Sequence, residues 1–186
     1  MAKRRLPESS DEAEAVARIF LETIKKESDR GCVLVAASFL DEALELLIRS
    51  KMKSEKKVVK QSVDPLLTGI GPLSSFWAKT ELCRVLGFLA GWEYADLTQI
   101  RNLRNLFAHS YGDADFDDAK VVQIVMDLHA FGSRTLPLEQ SPKRTDVKDA
   151  RNRFSLSAAW LGGTLHLSLI HISEPTRLRR ISYAVF

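Results

Sequence analysis

From Arg30 to Lys53 the sequence keeps apolar residues at steps of three and four with no proline, the pattern of a long helix. Cys32 to Leu40 is nearly all apolar or small, so the first half of that helix expects burial on more than one side. The second half narrows to a stripe of Ala43, Leu44, Leu47 and Ile48, with Asp41, Glu42, Glu45 and Arg49 outside. A helix buried on several sides must be wrapped by other elements. No segment of the chain shows the two-residue alternation of a half-buried strand, so those elements are helices too. The expected fold is all-α, a single-domain helical bundle of about six helices.

The remaining helices follow from the same spacing and from their punctuation. Ser9 and Glu12 form a capping-box pattern that starts a helix over about 10–27, with Ala13, Val16, Ala17, Phe20, Leu21 and Ile24 on one face. Asp64-Pro65 and Gly69-Ile-Gly-Pro72 interrupt the periodicity. A third long helix is expected from about Pro72 or Leu73, with Phe76, Trp77, Leu82, Val85, Leu86 and Leu89 inward and Gly91 as its left-handed stop. The next helix covers Glu93 to about Ala108, and an acidic turn after it offers Asp115 or Asp117 as cap for a helix over about 118–131. A polar connector leads to a last helix, from Val147 to about Leu161, that meets Gly162-Gly163. The domain expected is 1–166, with its core in about 10–131.

Composition excludes several classes. With 186 residues, 45% hydrophobic and 27% charged, the chain can bury one core. Its longest apolar run, Cys32 to Ala37, is far short of the roughly 20 residues that span a bilayer. Pro7-Glu-Ser-Ser-Asp-Glu follows the basic start where a signal peptide would place its apolar region, so a cytoplasmic protein is expected. Cys32 and Cys83 lie among apolar neighbours without C-x-x-C spacing and read as buried thiols. Glu42 and Glu45 lack a histidine at compatible spacing, so no metal site is expected. Gly69-Ile-Gly71 lacks the preceding strand and the following Lys-Ser/Thr of a phosphate cradle, and no cofactor is expected.

The last 20 residues carry a separate signal. Leu167 to Phe186 resembles the conceptual translation of a transposon-type sequencing-library adaptor, and 167–186 is expected to be a non-native tail. Its Arg177, Arg179, Arg180 and Glu174 matter to the charge balance. Without them Lys+Arg falls from 27 to 24 and Asp+Glu from 24 to 23, so the net charge drops from +3 to +1. The argument for a basic nucleic-acid binder drops with it.

The chain's most concentrated polar cluster lies on the helix ending near Ala108. Leu97, Ile100, Leu103 or Arg104, and Phe107 follow one buried face, while Arg101, Arg104, Asn105 and His109 supply two cations, an amide and an imidazole. Arg101 and Arg104 are the candidate binding residues. A purely structural reading pairs both with acids of the 113–118 turn and lets His109 cap the helix C-terminus.

Arg30-Gly-Cys-Val-Leu-Val-Ala-Ala-Ser-Phe-Leu-Asp-Glu42, Leu66-Leu-Thr-Gly-Ile-Gly-Pro-Leu-Ser-Ser-Phe76 and Ile100-Arg-Asn-Leu-Arg-Asn-Leu-Phe-Ala-His109, in this order and spacing, resemble the mannitol operon repressor family. The resemblance covers about Glu27 to Leu128. It implies an all-helical cytoplasmic transcriptional regulator without a recognisable DNA-binding module. It also implies regulation through a protein partner rather than direct operator contact, in keeping with the absence of a basic recognition helix.

The strip Arg104-Asn-Leu-Phe-Ala-His109 also resembles the R-x4-H signature of HEPN-type helical ribonucleases and nucleotide-binding domains. In that alternative His109 is a general acid/base, Arg104 stabilises charge on a phosphate, Asn105 orients the pair and RNA is the substrate. Residues five apart lie roughly 140° apart around a helix, so Arg104 and His109 converge only if the helix ends first or a homodimer supplies the second group. Arg101 and Asn105, four apart, share a face.

Overall fold

The computed structural model describes residues 10–52, 63–109, 114–129 and 149–173. All regular structure among them is helical: α1 (Ser10–Ile24), α2 (Asp29–Lys51), α3 (63–67), α4 (Phe76–Val85), α5 (Gly91–His109), α6 (Ala119–Met126) and α7 (Ala150–Ser173). Ser9, the lysine-rich run after Met52, most of the polar connector and the chain beyond Ser173 lie outside the described residues.

α2 is the centre of the bundle, as its composition requires. Ser28 caps it in extended backbone and its hydroxyl accepts the Gly31 N–H at 3.1 Å, while Asp29 sits in the first turn where the helix dipole favours an acid. Cys32, Val33, Ala36, Leu40, Leu44, Leu47 and Ile48 are buried, and α1, α4, α5 and α7 all pack on this one helix. Both cysteines are free and buried. Burial alone pushes the Cys83 thiol up to about 12, so it stays protonated and inert.

α7 departs most from expectation. The helix runs through Gly162-Gly163 rather than stopping at Leu161, and continues to Ser173, with Leu165 and Leu169 in the core. Gly162 is kept in the helix by packing: a Cβ there would come within 2.2 Å of the Phe39 ring on α2. Its missing side chain lets the two helices close on each other. The first seven residues of the stretch read as adaptor-derived are thus part of α7.

α4 is shorter than expected and ends differently. It starts after Ser75, whose hydroxyl accepts the Ala78 N–H at 3.1 Å, and finishes at Val85. Gly87, at φ +71°, takes the left-handed position expected of Gly91. Phe88 N donates to Cys83 O at 2.9 Å and Gly87 N to Arg84 O at 3.0 Å, the paired bonds of a Schellman ending. Gly91 instead opens α5, where Glu93 reaches back to accept the Ala90 N–H at 2.7 Å. Val85 and Leu86, expected inward, are exposed, and Lys79, Thr80 and Cys83 hold the inner face.

α6 also ends early, at Met126, and its cap is Asp118 rather than Asp115 or Asp117. Asp115 does accept, but from the N–H groups of Asp117 and Asp118 in the turn before the helix. Arg153 on α7 is 2% exposed, and its guanidinium donates to the carbonyls of Val125, Met126 and Leu128, closing the C-terminal end of α6. Among the described residues no helix is long and apolar enough to cross a membrane.

Candidate functional site

α5 presents two faces by design of its spacing. Leu97, Ile100, Leu103 and Phe107 are fully buried, and Arg101, Arg104 and Asn105 are left to one flank by their three- and four-residue offsets. That flank forms one wall of a groove of about 530 Å³. The first turn of α4 with Ser74, Ser75, Phe76 and Trp77 makes a second wall, and Ala37, Ser38 and Asp41 of α2 make the floor. The groove exists because α4 and α5 both lean on α2.

The aromatic rings of α4 and α5 hold the cations in place. The Arg101 guanidinium carbon stands 4.5 Å from the Trp77 ring centre, and that of Arg84 stands 4.1 Å from the Tyr94 ring centre. Trp77 and Tyr94 are 6.3 Å apart and tilted at 46°, so four side chains alternate as cation, ring, ring, cation across the two helices. The Tyr94 hydroxyl donates to Glu81 Oε1 at 2.7 Å, which fixes the ring.

The ionic pairing around the groove is asymmetric. Asp41 lines it, but its Oδ2 accepts from Lys79 Nζ at 2.8 Å, and Lys79 also donates to Glu45 Oε2 at 3.0 Å. Arg49 completes the network by donating to Glu45 Oε1 at 2.9 Å and to Asp64. Burial works against the charge on Glu45, yet hydrogen bonds from Lys79 and Arg49 outweigh it and hold the carboxyl below the usual carboxylate range. Burial likewise opposes the Lys79 charge, and its bonds to Asp41 and Glu45 raise it above the ordinary lysine value. Arg101 and Arg104, by contrast, have no carboxylate partner among the described residues. Arg104 donates to its neighbour Asn105 Oδ1 at 3.1 Å and is otherwise exposed.

Of the residues singled out from sequence, Arg101, Arg104 and Asn105 meet in this groove. His109 is exposed at the last position of α5 and is not among the groove residues. The expected structural pairings also differ. Asp113 lies outside the described residues, Asp115 and Asp118 are used on backbone N–H groups rather than on the arginines, and Arg30 of α2, donating to Ala108 O at 3.0 Å, closes the α5 C-terminus in place of His109. Sequence reasoning missed Trp77, Ser74, Ser75 and Asp41 as groove residues, since nothing in local spacing relates α4 or α2 to α5. The one available hint was Ser75 itself, a good cap residue placed directly before Phe76-Trp77.

A second, more apolar groove of about 480 Å³ lies between α1, α2 and α7. Phe39 stacks on Phe20 at 4.1 Å and on His166 at 5.6 Å along its floor. The His166 Nδ1–H donates to Gly162 O at 2.7 Å, and burial pushes the imidazole below its ordinary value despite that bond and the nearby Glu42. It carries one imidazole and one acid, and no pair of cations.

Comparison with known proteins places the whole unit. A family model described as "Mannitol repressor" matches residues 17–162. The mannitol operon repressor of Escherichia coli strain K12 is 28% identical over 113 residues, which are 61% of this chain and 58% of that protein. The repressor from E. coli O6:H1 gives the same figures. The chain therefore spans less than two thirds of the length of these curated relatives. Among solved structures, one chain of the X-ray structure of the MtlR–HPr complex from E. coli superimposes with a TM-score of 0.65 at 23% identity, covering 84% of this chain and 99% of that one. A possible transcriptional regulator, YggD, from Shigella flexneri 2a superimposes at 0.63 with 16% identity, covering 90% and 99%. At these identities the structures share the fold.

Proposed function

The chain belongs to the mannitol repressor family, and from that membership we propose that it is a cytoplasmic transcriptional regulator that acts through a protein partner rather than through a DNA-binding module of its own. The observation that carries this reading is the family match over 17–162, a stretch that holds α2, α4, α5 and the groove between them. The related structure of MtlR with HPr supports HPr as the class of partner. The α4–α5 face is the docking surface. It presents Trp77, Tyr94, Arg84 and Arg101 side by side, and tryptophan, tyrosine and arginine are the residue types that dominate the energetics of protein interfaces.

The test is a calorimetric titration of the purified protein with HPr from the same cell. Saturable binding, weakened by Trp77→Ala, is the expected result. No heat at about 0.1 mM, a concentration at which even a transient complex registers, sinks the partner reading. Light scattering during the titration separates the complex from a homodimer. The ribonuclease alternative through Arg104, Asn105 and His109 has no supporting observation beyond the shared groove of the first two.

A further inference from the structure

We propose that the groove between α2, α4 and α5 is a binding site for a small phosphate monoester, held by the guanidinium groups of Arg101 and Arg104. The decisive observation is the contrast in charge pairing inside one cavity. Asp41, the acid among the described lining residues, is held by Lys79, which donates to its Oδ2 at 2.8 Å while its Oδ1 is buried without a hydrogen-bond partner, and Lys79 is itself 2% exposed and shared with Glu45. The two arginines on the α5 wall have no carboxylate ion-pair partner among the described residues. A concave, donor-rich site with two uncompensated cations selects an anion.

Charge and geometry narrow the class. Guanidinium forks match the oxygens of a carboxylate or a phosphate, but two of them balance the charge of close to −2 that a phosphate monoester carries at neutral pH. Arg101 is pre-oriented by its stack on Trp77, 4.5 Å from the ring centre, so little freedom is lost when it engages a ligand. Asn105 turns its Oδ1 to Arg104, which leaves its amide N–H donors for a third oxygen. Ser74 and Ser75 line the α4 wall, the Ser75 hydroxyl already accepting the Ala78 N–H. A volume of about 530 Å³ is in the range of small-molecule sites, well above what a bare phosphate fills. The rest of the ligand therefore lies along Phe76 and Trp77.

The site shares Trp77 and Arg101 with the proposed docking face, but its test stands apart from the partner reading, because it uses the isolated protein with no HPr present. The experiment is calorimetric titration with glycerol 3-phosphate, inorganic phosphate and acetate at matched ionic strength. Alongside it, the indole N–H resonance of Trp77 is followed, assigned through Trp77→Phe. The expected result is saturable one-site binding of the phosphates and a shift of the Trp77 signal. Binding should weaken about tenfold or more in Arg104→Gln, the loss of one charged hydrogen-bonding partner. Arg104 is exposed, so this variant keeps the fold; Arg101→Lys, which retains charge but loses the fork, is the second variant and should also bind more weakly. Three outcomes each overturn the proposal: no saturable binding at about 10 mM ligand, equal affinity in wild type and Arg104→Gln, or acetate binding as tightly as the phosphates.

Discussion

A Cβ on Gly162 of α7 would stand 2.2 Å from Cε1 of Phe39 on α2, so the ring occupies the volume that any other residue's side chain would need. Phe39 is not free to step aside, because it stacks on Phe20 and on His166. The neighbouring Gly163 is different: a Cβ there meets the Ala17 Cβ at 3.8 Å, an ordinary contact. In a helix interior alanine is favoured over glycine by about 1 kcal/mol. Gly163→Ala should therefore be neutral or stabilising by up to about that amount. Gly162→Ala should be destabilising by about 1–2 kcal/mol after the overpacking cost is set against the helix gain. Urea unfolding of the two variants side by side checks this, and equal stabilities would show that α7 does not need the close approach.

Lys79 ties α4 to α2 through Asp41 and Glu45, and its own side chain is 3% exposed while those of its partners are 32% and 24% exposed. Lys79→Met should cost about 2–3 kcal/mol, less than breaking a fully buried pair because the acids retain some contact with water. The network also sets an acid limit. Glu45 is held below the usual carboxylate range, so its contribution is present above the unfolded-state value and is lost as pH falls through the folded one. Unfolding free energy should thus decline below about pH 4.5, and less steeply in Glu45→Gln. Identical acid slopes for the two proteins would remove Glu45 from the account.

Arg153 places its charge, almost wholly buried, on three carbonyls at the end of α6. Arg153→Met keeps much of the volume but takes the guanidinium donors from the Met126 and Leu128 carbonyls and leaves Val125 O with the Leu128 N–H. A loss of about 3 kcal/mol is expected, and Arg153→Lys should recover only part of it, since one ammonium cannot span three acceptors as a planar fork does. Amide hydrogen exchange should report the damage first in α6. Protection unchanged there would contradict the role assigned to Arg153.

Burial of His166 beside Phe39 disfavours its charged form. The folded imidazole titrates below the unfolded value of 6.5, so the folded state binds fewer protons in that interval. Stability is full above that value and is lost as pH falls below it. His166→Phe keeps an aromatic ring for the stack and removes the titration. The wild type should melt at a lower temperature at about pH 5.5 than at about pH 7.5, and the difference should shrink in the variant.

Helix termini were the least legible feature, for physical reasons that differ from case to case. Gly91 and Gly87 are both plausible stops after an apolar run. Only the paired bonds from Gly87 and Phe88 back to Arg84 and Cys83 select the earlier one. Gly162-Gly163 reads as a terminus, because glycine costs a helix about 1 kcal/mol, until the Phe39 ring opposite it is known. The all-helical class and the central place of α2 were legible, because both rest on periodicity and on the width of an apolar face.

The site divides along the same line. The sequence puts Arg101, Arg104 and Asn105 on one flank of α5, since offsets of three and four residues place side chains on one side of any helix. It also determined that Arg104 and His109 diverge along a continuous helix. Helix packing turns this flank toward the first turn of α4 across the floor of α2, brings Arg101 onto Trp77, and joins Lys79 to Oδ2 of Asp41, the acid of the groove. Those contacts join residues far apart in the chain, and their partners are chosen by how the helices pack rather than by any local pattern.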